Sequence, residues 1–454
     1  MKAIRYLLIV SLLLGLTGIG LAQGEGDDPE ITLTWWINPW RIRPPGFPAD
    51  QSPTGDEYPQ WISDEFMKLH PNITVEWEVV PNSGYLEKIN TALFAGNPPD
   101  VMRSLDFNPE WAREGLLEPI DDYLTDFDYE DFVDYALNDG FIDDHYYIWP
   151  WNNSNNGMGS TLLLNPAIFE ERGVPLPDGP GRHWTIDEFL EAAEQLTFTR
   201  DDGTEVYAIT VAAQDVENSM AWIYRYGASY INGDMTGFAL NSEEGVRGLQ
   251  LLVDLVNEYG VAPRGGEALD VYGTIDNFHQ GRAAMGYGGI YEIGRIDRYL
   301  NEDRITEAID VVVAPFPHDP ETGPVAYETS GGFIVFRQSD DYRRDMAMEL
   351  ARFITNTENT ALLEDLLYVT ARHSSNELLT FESVQAYTDV REQVETYMDA
   401  ISYGIPYFGP RTLDTSGATD YFKSAVQAAL AGNATPQEAL DDFVRNADRE
   451  VFGR

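Results

Sequence analysis

Aromatic plates set beside amide and guanidinium groups are the residues of this chain with the clearest chemistry. Five of its ten tryptophans fall in two short stretches: Trp35, Trp36 and Trp40 in ITLTWWINPW, and Trp149 and Trp151 in YYIWPWNNSNN. An indole is a rigid apolar plate with one N–H donor. Beside Asn38, Arg41, Asn152 and Asn153, such plates suit the flat C–H faces and hydroxyl rims of sugars. The competing role for each indole is core packing. Trp40 and Trp151, flanked by polar and proline residues, point instead to a surface cleft. Other chemistries find less support. The six histidines (His70, His145, His183, His279, His318, His373) are scattered, with no HExxH. No GxSxG or Walker sequence occurs. The absence of cysteine excludes thiol catalysis and thiolate metal sites. No catalytic residue, metal ligand or cofactor is therefore expected.

Regular elements must position these residues. Each tryptophan stretch begins as a strand and runs into the Pro, Asn and Gly of turns. Ile31–Ile37 reads as a buried strand, and Arg41–Pro59 as a long Pro- and Gly-rich loop. Trp61–Leu69 has helical spacing and stops at His70-Pro71. Ile73–Val80 alternates as a strand, Tyr85–Phe94 is helical before Gly96, and Asp100–Ser104 returns as a strand. The order β, α, β, α, β argues for a mostly parallel sheet with helices on its faces. Further on, Thr185 caps a helix, with Glu188 three residues later completing a capping box. Ala208–Gln214 and Val311–Ala314 read as strands, Glu243–Tyr259, Tyr342–Ile354 and Tyr421–Ala431 as helices. Pro436 stands at the first position of the last helix.

Composition bounds the setting. Lys2 and Arg5 followed by the apolar run Tyr6–Leu21 and Gly20-Leu21-Ala22 read as an export signal cleaved after Ala22. The run, at ~16 residues, is shorter than the ~20 that span a bilayer, which leaves a membrane anchor as the weaker alternative. Without cysteine, lipid anchoring through that residue is impossible. The chain is expected to be exported and soluble, periplasmic or extracellular. About 430 mature residues exceed what one core usually serves, so two lobes are expected. The net charge of −47 becomes −49 once Lys2 and Arg5 leave with the signal. Such a chain repels nucleic acid and anionic lipid. Four Lys against 25 Arg, with abundant dispersed acids, suits life in high salt.

Eight segments, in order along nearly the whole mature chain, resemble the extracellular solute-binding proteins of sugar-importing ABC transporters, the group that includes maltose-binding protein. They are ITLTWWIN; FMKLHPNITVEWEVV; YLEKINTALFAGNPPDVM; GLLEPIDDYL; STLLLNPAIFEERGVPLP with HWTIDEFLEAAEQL; NFHQGRAAMGYGG; SGGFIVF; and ALAGNATPQEAL. AGNPPDVM is the most specific of them. The resemblance implies an α/β, two-lobed periplasmic-binding-protein fold (type II-like). Each lobe would hold a mainly parallel sheet flanked by helices, with hinge strands between. In family terms the first lobe covers 25–150 and 330–385, and the second 151–329 and 386–454. Hinges lie near Trp149–Asn155 and Tyr327–Gly332. Ligand binds between the lobes, which close about the hinges, and the closed form is presented to a membrane permease.

Ligands of open α/β sheets meet the loops at the carboxyl ends of strands. With the resemblance, this nominates Asn38, Trp40 and Arg41 after the first strand. Asp106 follows the third strand, as an acceptor from sugar hydroxyls or simply as a helix cap or solvated loop acid. Trp149, Trp151, Asn152 and Asn153 mark the first hinge. Gln214 and Trp222 come from the second lobe. Tyr291 and Glu292 lie where relatives carry a Gly-Pro-Trp platform; Ile290 replaces the proline, so the chain departs from that pattern. Gly331 and Gly332 follow the second hinge, where glycine allows close approach of backbone to ligand. Tyr407, Phe408 and Arg411 belong to a loop that closes over ligand. The resemblance thus implies a monomer that binds a carbohydrate and serves an ABC permease. Two rival readings stay open: a binding protein for a nonsugar solute such as a peptide or polyamine, and an exported glycoside hydrolase with two carboxylates ~5–9.5 Å apart.

Overall fold

The computed structural model describes residues 28–48, 51–104, 107–153, 159–177, 181–328, 330–381, 389–402, 404–406 and 413–454. The expected signal therefore lies outside the described residues. So do Asp106, Tyr407, Phe408 and Arg411.

The first lobe is organised by a five-stranded sheet. Its strands are β1 (Ile31–Ile37), β2 (Ile73–Val79), β3 (Val101–Arg103), β4 (Trp149–Asn153) and a late strand, Ser330–Val335. β1 is central to a parallel trio, pairing Ile31 with Ile73 and Trp35 with Val101. Period-2 alternation sorts the side chains. Leu33, Trp35 and Ile37 face a core with Tyr58, Ile62 and Phe66 of helix α1 (Glu57–Leu69). Trp36, Met102 and Ile334 face the opposite core, with Tyr85 and Ile89 of α2 (Tyr85–Phe94). Each large apolar side chain so buried contributes roughly 1.5–3 kcal/mol. Helix α1 begins at Glu57, earlier than its apolar spacing suggests, because Pro59 is tolerated in a first helical turn.

Asp100, the acid of AGNPPDVM, ties these layers together. Its carboxylate accepts from the Thr34 backbone N–H at 2.7 Å and Oγ1 at 3.0 Å. It also accepts the bidentate fork of Arg343, at 2.7 Å for each bond. Arg343 lies on the helix Asp341–Ile354.

The second lobe is built on β5 (Thr161–Leu164), β6 (Met285–Gly286) and β7 (Val312–Pro315). Both β6 and β7 run antiparallel to β5. The mainly parallel arrangement expected of each lobe thus describes β1–β3 but not this trio. Runs such as TLLL and VVAP are apolar on both faces and carry no direction; the connections decide it. Parallel pairing does occur here, as an isolated bridge from Tyr207 to Ala283. The expected strand Ala208–Gln214 forms no regular strand. Its backbone N–H groups bond outward, Ala208 to Val261 and Ala213 to Gly266. Leu162 and Leu164 enter one large core, with Phe189 and Trp222, and Leu163 enters another, with Val311, Val313 and Ile290.

With Ser330–Val335 now termed β8, the order of the first sheet is β2-β1-β3-β8-β4. β8 runs antiparallel to both β3 and β4, with a bulge between Gly331 and Gly332.

Candidate functional site

The carboxyl ends of β1 and β3 hold a cation among aromatic rings. Arg103 is the last residue of β3 and is buried. Its Nη1 donates to Asn38 Oδ1 at 3.1 Å. Its guanidinium carbon stands 4.2 Å from the centre of the Trp40 ring and 5.9 Å from that of Trp151. A cation over an indole face contributes about 2 kcal/mol when desolvated. Asn38 is fully buried, Trp40 half-buried and Arg41 exposed. The turn after β1 therefore presents Arg41 outward, packs Trp40 against the core of the first sheet and uses Asn38 to hold Arg103.

From Trp40 the rings continue toward the second lobe. Trp40 lies 4.8 Å from Trp151 and 4.8 Å from Tyr368, centroid to centroid. Tyr368 in turn stacks on Tyr291 at 5.9 Å, with planes 15° apart. Arg295 covers the Tyr291 ring at 4.0 Å. Tyr291 and Tyr368 are both half-buried. Burial raises the phenol pKa of each. At Tyr368 it outweighs the opposing pull of Arg295 and Arg103, so both phenols stay protonated.

Glu292 anchors the second-lobe end. It is fully buried and accepts from Arg295 Nη1 at 2.8 Å and from the Tyr299 hydroxyl at 2.6 Å. His279 Nε2 lies 3.7 Å away. Burial works against the Arg295 charge, but the neighbouring carboxylate more than compensates and raises its pKa. Burial lowers the pKa of His279, against the pull of Glu292, so the imidazole is neutral near pH 7.

The nominated residues thus divide. Asn38, Trp40, Trp151 and Tyr291 join one cluster, with Glu292 beneath it, but Trp151, expected at a surface cleft, is fully buried, because its ring packs on Phe333 in the core of the first sheet. Trp149 is fully buried in the core of the first sheet, and Trp222 in the large core of the second lobe. Trp222 donates through Nε1 to the Tyr287 hydroxyl at 2.9 Å. Asn152 and Asn153 are buried within β4, and Gln214 is exposed. Gly331 and Gly332 are buried in β8. A Cβ on Gly332 would come within 2.1 Å of the Trp149 carbonyl oxygen, so the close approach there is to β4. Three members of the cluster were not nominated: Arg103, Tyr368 and Arg295. Arg103 had a signal, a basic residue closing a short apolar strand, whereas Tyr368 and Arg295 had none in their own segments.

Among the described residues, no group of His, Asp and Glu side chains could hold a metal ion. Nor is any helix among them long and apolar enough to cross a membrane.

Comparison with known proteins agrees with this architecture. Residues 49–361 match the family model for bacterial extracellular solute-binding proteins. The maltotriose-binding protein of Pyrococcus abyssi is 25% identical over 304 residues, covering 66% of this chain and 60% of that protein. The cyclic α-maltosyl-1,6-maltose binding protein of Arthrobacter globiformis superposes with a TM-score of 0.70 at 18% identity, over 94% of this chain and 100% of that one. The ABC substrate-binding protein of Listeria monocytogenes in complex with cycloalternan gives 0.68 at 21%, over 93% and 99%. These solved structures share the two-lobed fold.

Proposed function

The chain belongs to the bacterial extracellular solute-binding proteins, and from that premise we propose that it captures a sugar or oligosaccharide between its lobes. Hinge closure then presents the loaded form to an ABC transporter permease. The observation that carries this reading is the run of rings from both lobes, Trp151, Trp40, Tyr368 and Tyr291, with Arg103 and Arg295 beside it. Rings supply flat apolar faces and guanidinium groups supply donors, the two things a pyranose offers surfaces for. The sugar-binding relatives named above support the ligand class.

The lobes divide as 25–150 with 330–385 and 151–329 with 386–454. Trp40, Tyr291 and Tyr368 contact the ligand, joined by Arg41, Asp106, Gln214, Tyr407 and Arg411 from the cleft loops. Glu292 acts through Arg295, which it holds under the Tyr291 ring. The chain performs no catalysis, works as a monomer, and is exported without a cysteine-linked lipid. Ring stacking contributes roughly 1–3 kcal/mol for each platform. Two platforms with several hydrogen bonds are enough, after ordering costs, for the roughly 8 kcal/mol that a micromolar dissociation constant would require.

Titration calorimetry with maltotriose, other neutral oligosaccharides, uronides and dipeptides tests the proposal, with each ligand recovered afterwards and checked by chromatography. Saturable heat with an intact saccharide supports it. Heat with peptides alone, or release of new reducing ends, contradicts it.

A further inference from the structure

The segment Leu366–Thr370 belongs to both lobes at once. Its side chains alternate between two cores. Leu366 and Tyr368 pack against the core of the five-stranded sheet. Leu367 and Val369, both buried, enter the core of the second lobe that also holds Leu163, Val313, Ile290 and Ile293. Ile290 and Ile293 flank Tyr291 in one short 3₁₀ helix, so the anchor of Tyr368 and the carrier of Tyr291 share a core.

The backbone enforces this alternation. Leu367 ends the 3₁₀ turn Leu362–Leu366 with φ 56° and ψ 35°, left-handed values that a leucine side chain disfavours. Its N–H bonds to the Glu364 carbonyl at 2.9 Å. The chain then runs antiparallel beside β4: Asn153 N–H donates to Val369 O at 3.0 Å, and Ala371 N–H to Trp151 O at 3.1 Å. The segment is thus fastened to β4 while Leu367 and Val369 reach into the other lobe. Tyr368 is held between Trp40 and Tyr291.

We propose that Leu366–Thr370 is an interlobe strap: Leu367, in its strained conformation, anchors it in the second lobe, and the Trp40–Tyr368–Tyr291 stack limits how far the ligand-free lobes open. Tyr368 and Leu367 then help to set the open–closed equilibrium, and through it the affinity for any ligand that needs closure. The inference goes beyond the sugar-binding reading and does not depend on which ligand is bound.

The chain has no cysteine, so Lys68→Cys and Glu258→Cys place one spin label on an exposed site of each lobe. Pulsed electron–electron resonance on the ligand-free protein then reads the interlobe distance. Tyr368→Ala and Leu367→Gly are each expected to move the distribution to longer distances, whereas Tyr368→Phe keeps that of the parent. Tyr291→Ala removes the partner ring from the other lobe and is expected to act like Tyr368→Ala, which answers the question should Tyr368→Ala fail to fold. Melting curves identify the folded variants. Unchanged distances in the folded ring-removing variants would overturn the stack as a latch, and an unchanged distance in Leu367→Gly would overturn the anchor. No ligand enters the experiment, so failure of the sugar reading would leave its outcome intact.

Discussion

The guanidinium carbon of Arg103 stands 4.2 Å from the centre of the Trp40 ring while its Nη1 donates to Asn38 Oδ1 at 3.1 Å. One residue from the end of β3 therefore orients a ring from the turn after β1. If Trp40 is a platform, Trp40→Ala should weaken saccharide binding by about 10–100-fold, the equivalent of a stack of roughly 1–3 kcal/mol. Arg103→Lys keeps the charge but loses the planar fork, and a loss of roughly tenfold is expected. Titration calorimetry measures both. Affinities within twofold of the parent would remove these residues from the site.

A second prediction concerns stability alone. Arg372 donates to Asp131 at 2.9 Å and to Asp128 at 2.9 Å, with all three side chains almost wholly buried. Arg372→Ala removes the buried cation between the two carboxylates, leaving Asp128 to Arg352 and Thr125 and Asp131 to Ser374, and breaking such a buried pair costs about 3 kcal/mol. Burial pushes the Asp128 carboxyl up, but hydrogen bonds from Thr125 and Arg372 outweigh it and hold its pKa below the usual range. The stabilisation is therefore complete above the ordinary carboxylate range and lost as pH falls through the lowered value. Urea unfolding should show a wide gap between parent and variant at pH 7 that narrows in acid.

Asp215 predicts the opposite slope. It caps the helix Val216–Tyr224 and is buried, with Asn218 N–H and Nδ2 donating to it at 3.2 and 2.7 Å. Burial dominates and pushes its carboxyl up to about 7, against those hydrogen bonds. In the unfolded chain it ionises near pH ~3.9, so the fold holds the proton more tightly. Its contribution is whole below about pH 4, is lost as pH rises through about 7, and amounts to roughly 4 kcal/mol. Asp215→Asn carries no titrating group and should lose less melting temperature than the parent between those values. Parallel curves would show that Asp215 ionises normally.

With a formal charge of −47 and only four lysines, self-repulsion should be the largest salt-dependent term. Screening shortens the Debye length from about 10 Å at 0.1 M to about 3 Å at 1 M. The melting temperature should rise steeply over that range of KCl. A flat response would mean that the acids are already compensated by the arginine pairs around them.

Local signals made much of the fold legible. Tyr85–Phe94 is helical over the residues its spacing indicates, and Thr185 and Thr435 cap their helices with Glu188 and Glu438 completing the boxes. Each of these depends on residues within one helical turn. Strand direction in the second lobe was not legible, because β5 and β7 are buried on both faces and neither face betrays its neighbour. At the cluster of rings, Trp40 was readable from its place after a strand. Tyr368 was not: its partners Trp40 and Tyr291 are distant in sequence, and only the two-faced packing of Leu366–Val369 brings it between them.

The central claim is most directly tested by thermal unfolding in high salt against saccharides, uronides, amino acids, peptides and polyamines. A ligand at ~100 times its dissociation constant adds about 2.7 kcal/mol of stability, a visible upward shift. That shift is expected with at least one saccharide, lost in Trp40→Ala and reversed when the unaltered sugar is dialysed away. A shift with a peptide, amino acid or polyamine and with no saccharide would contradict the carbohydrate assignment while leaving the two-lobed binding fold in place.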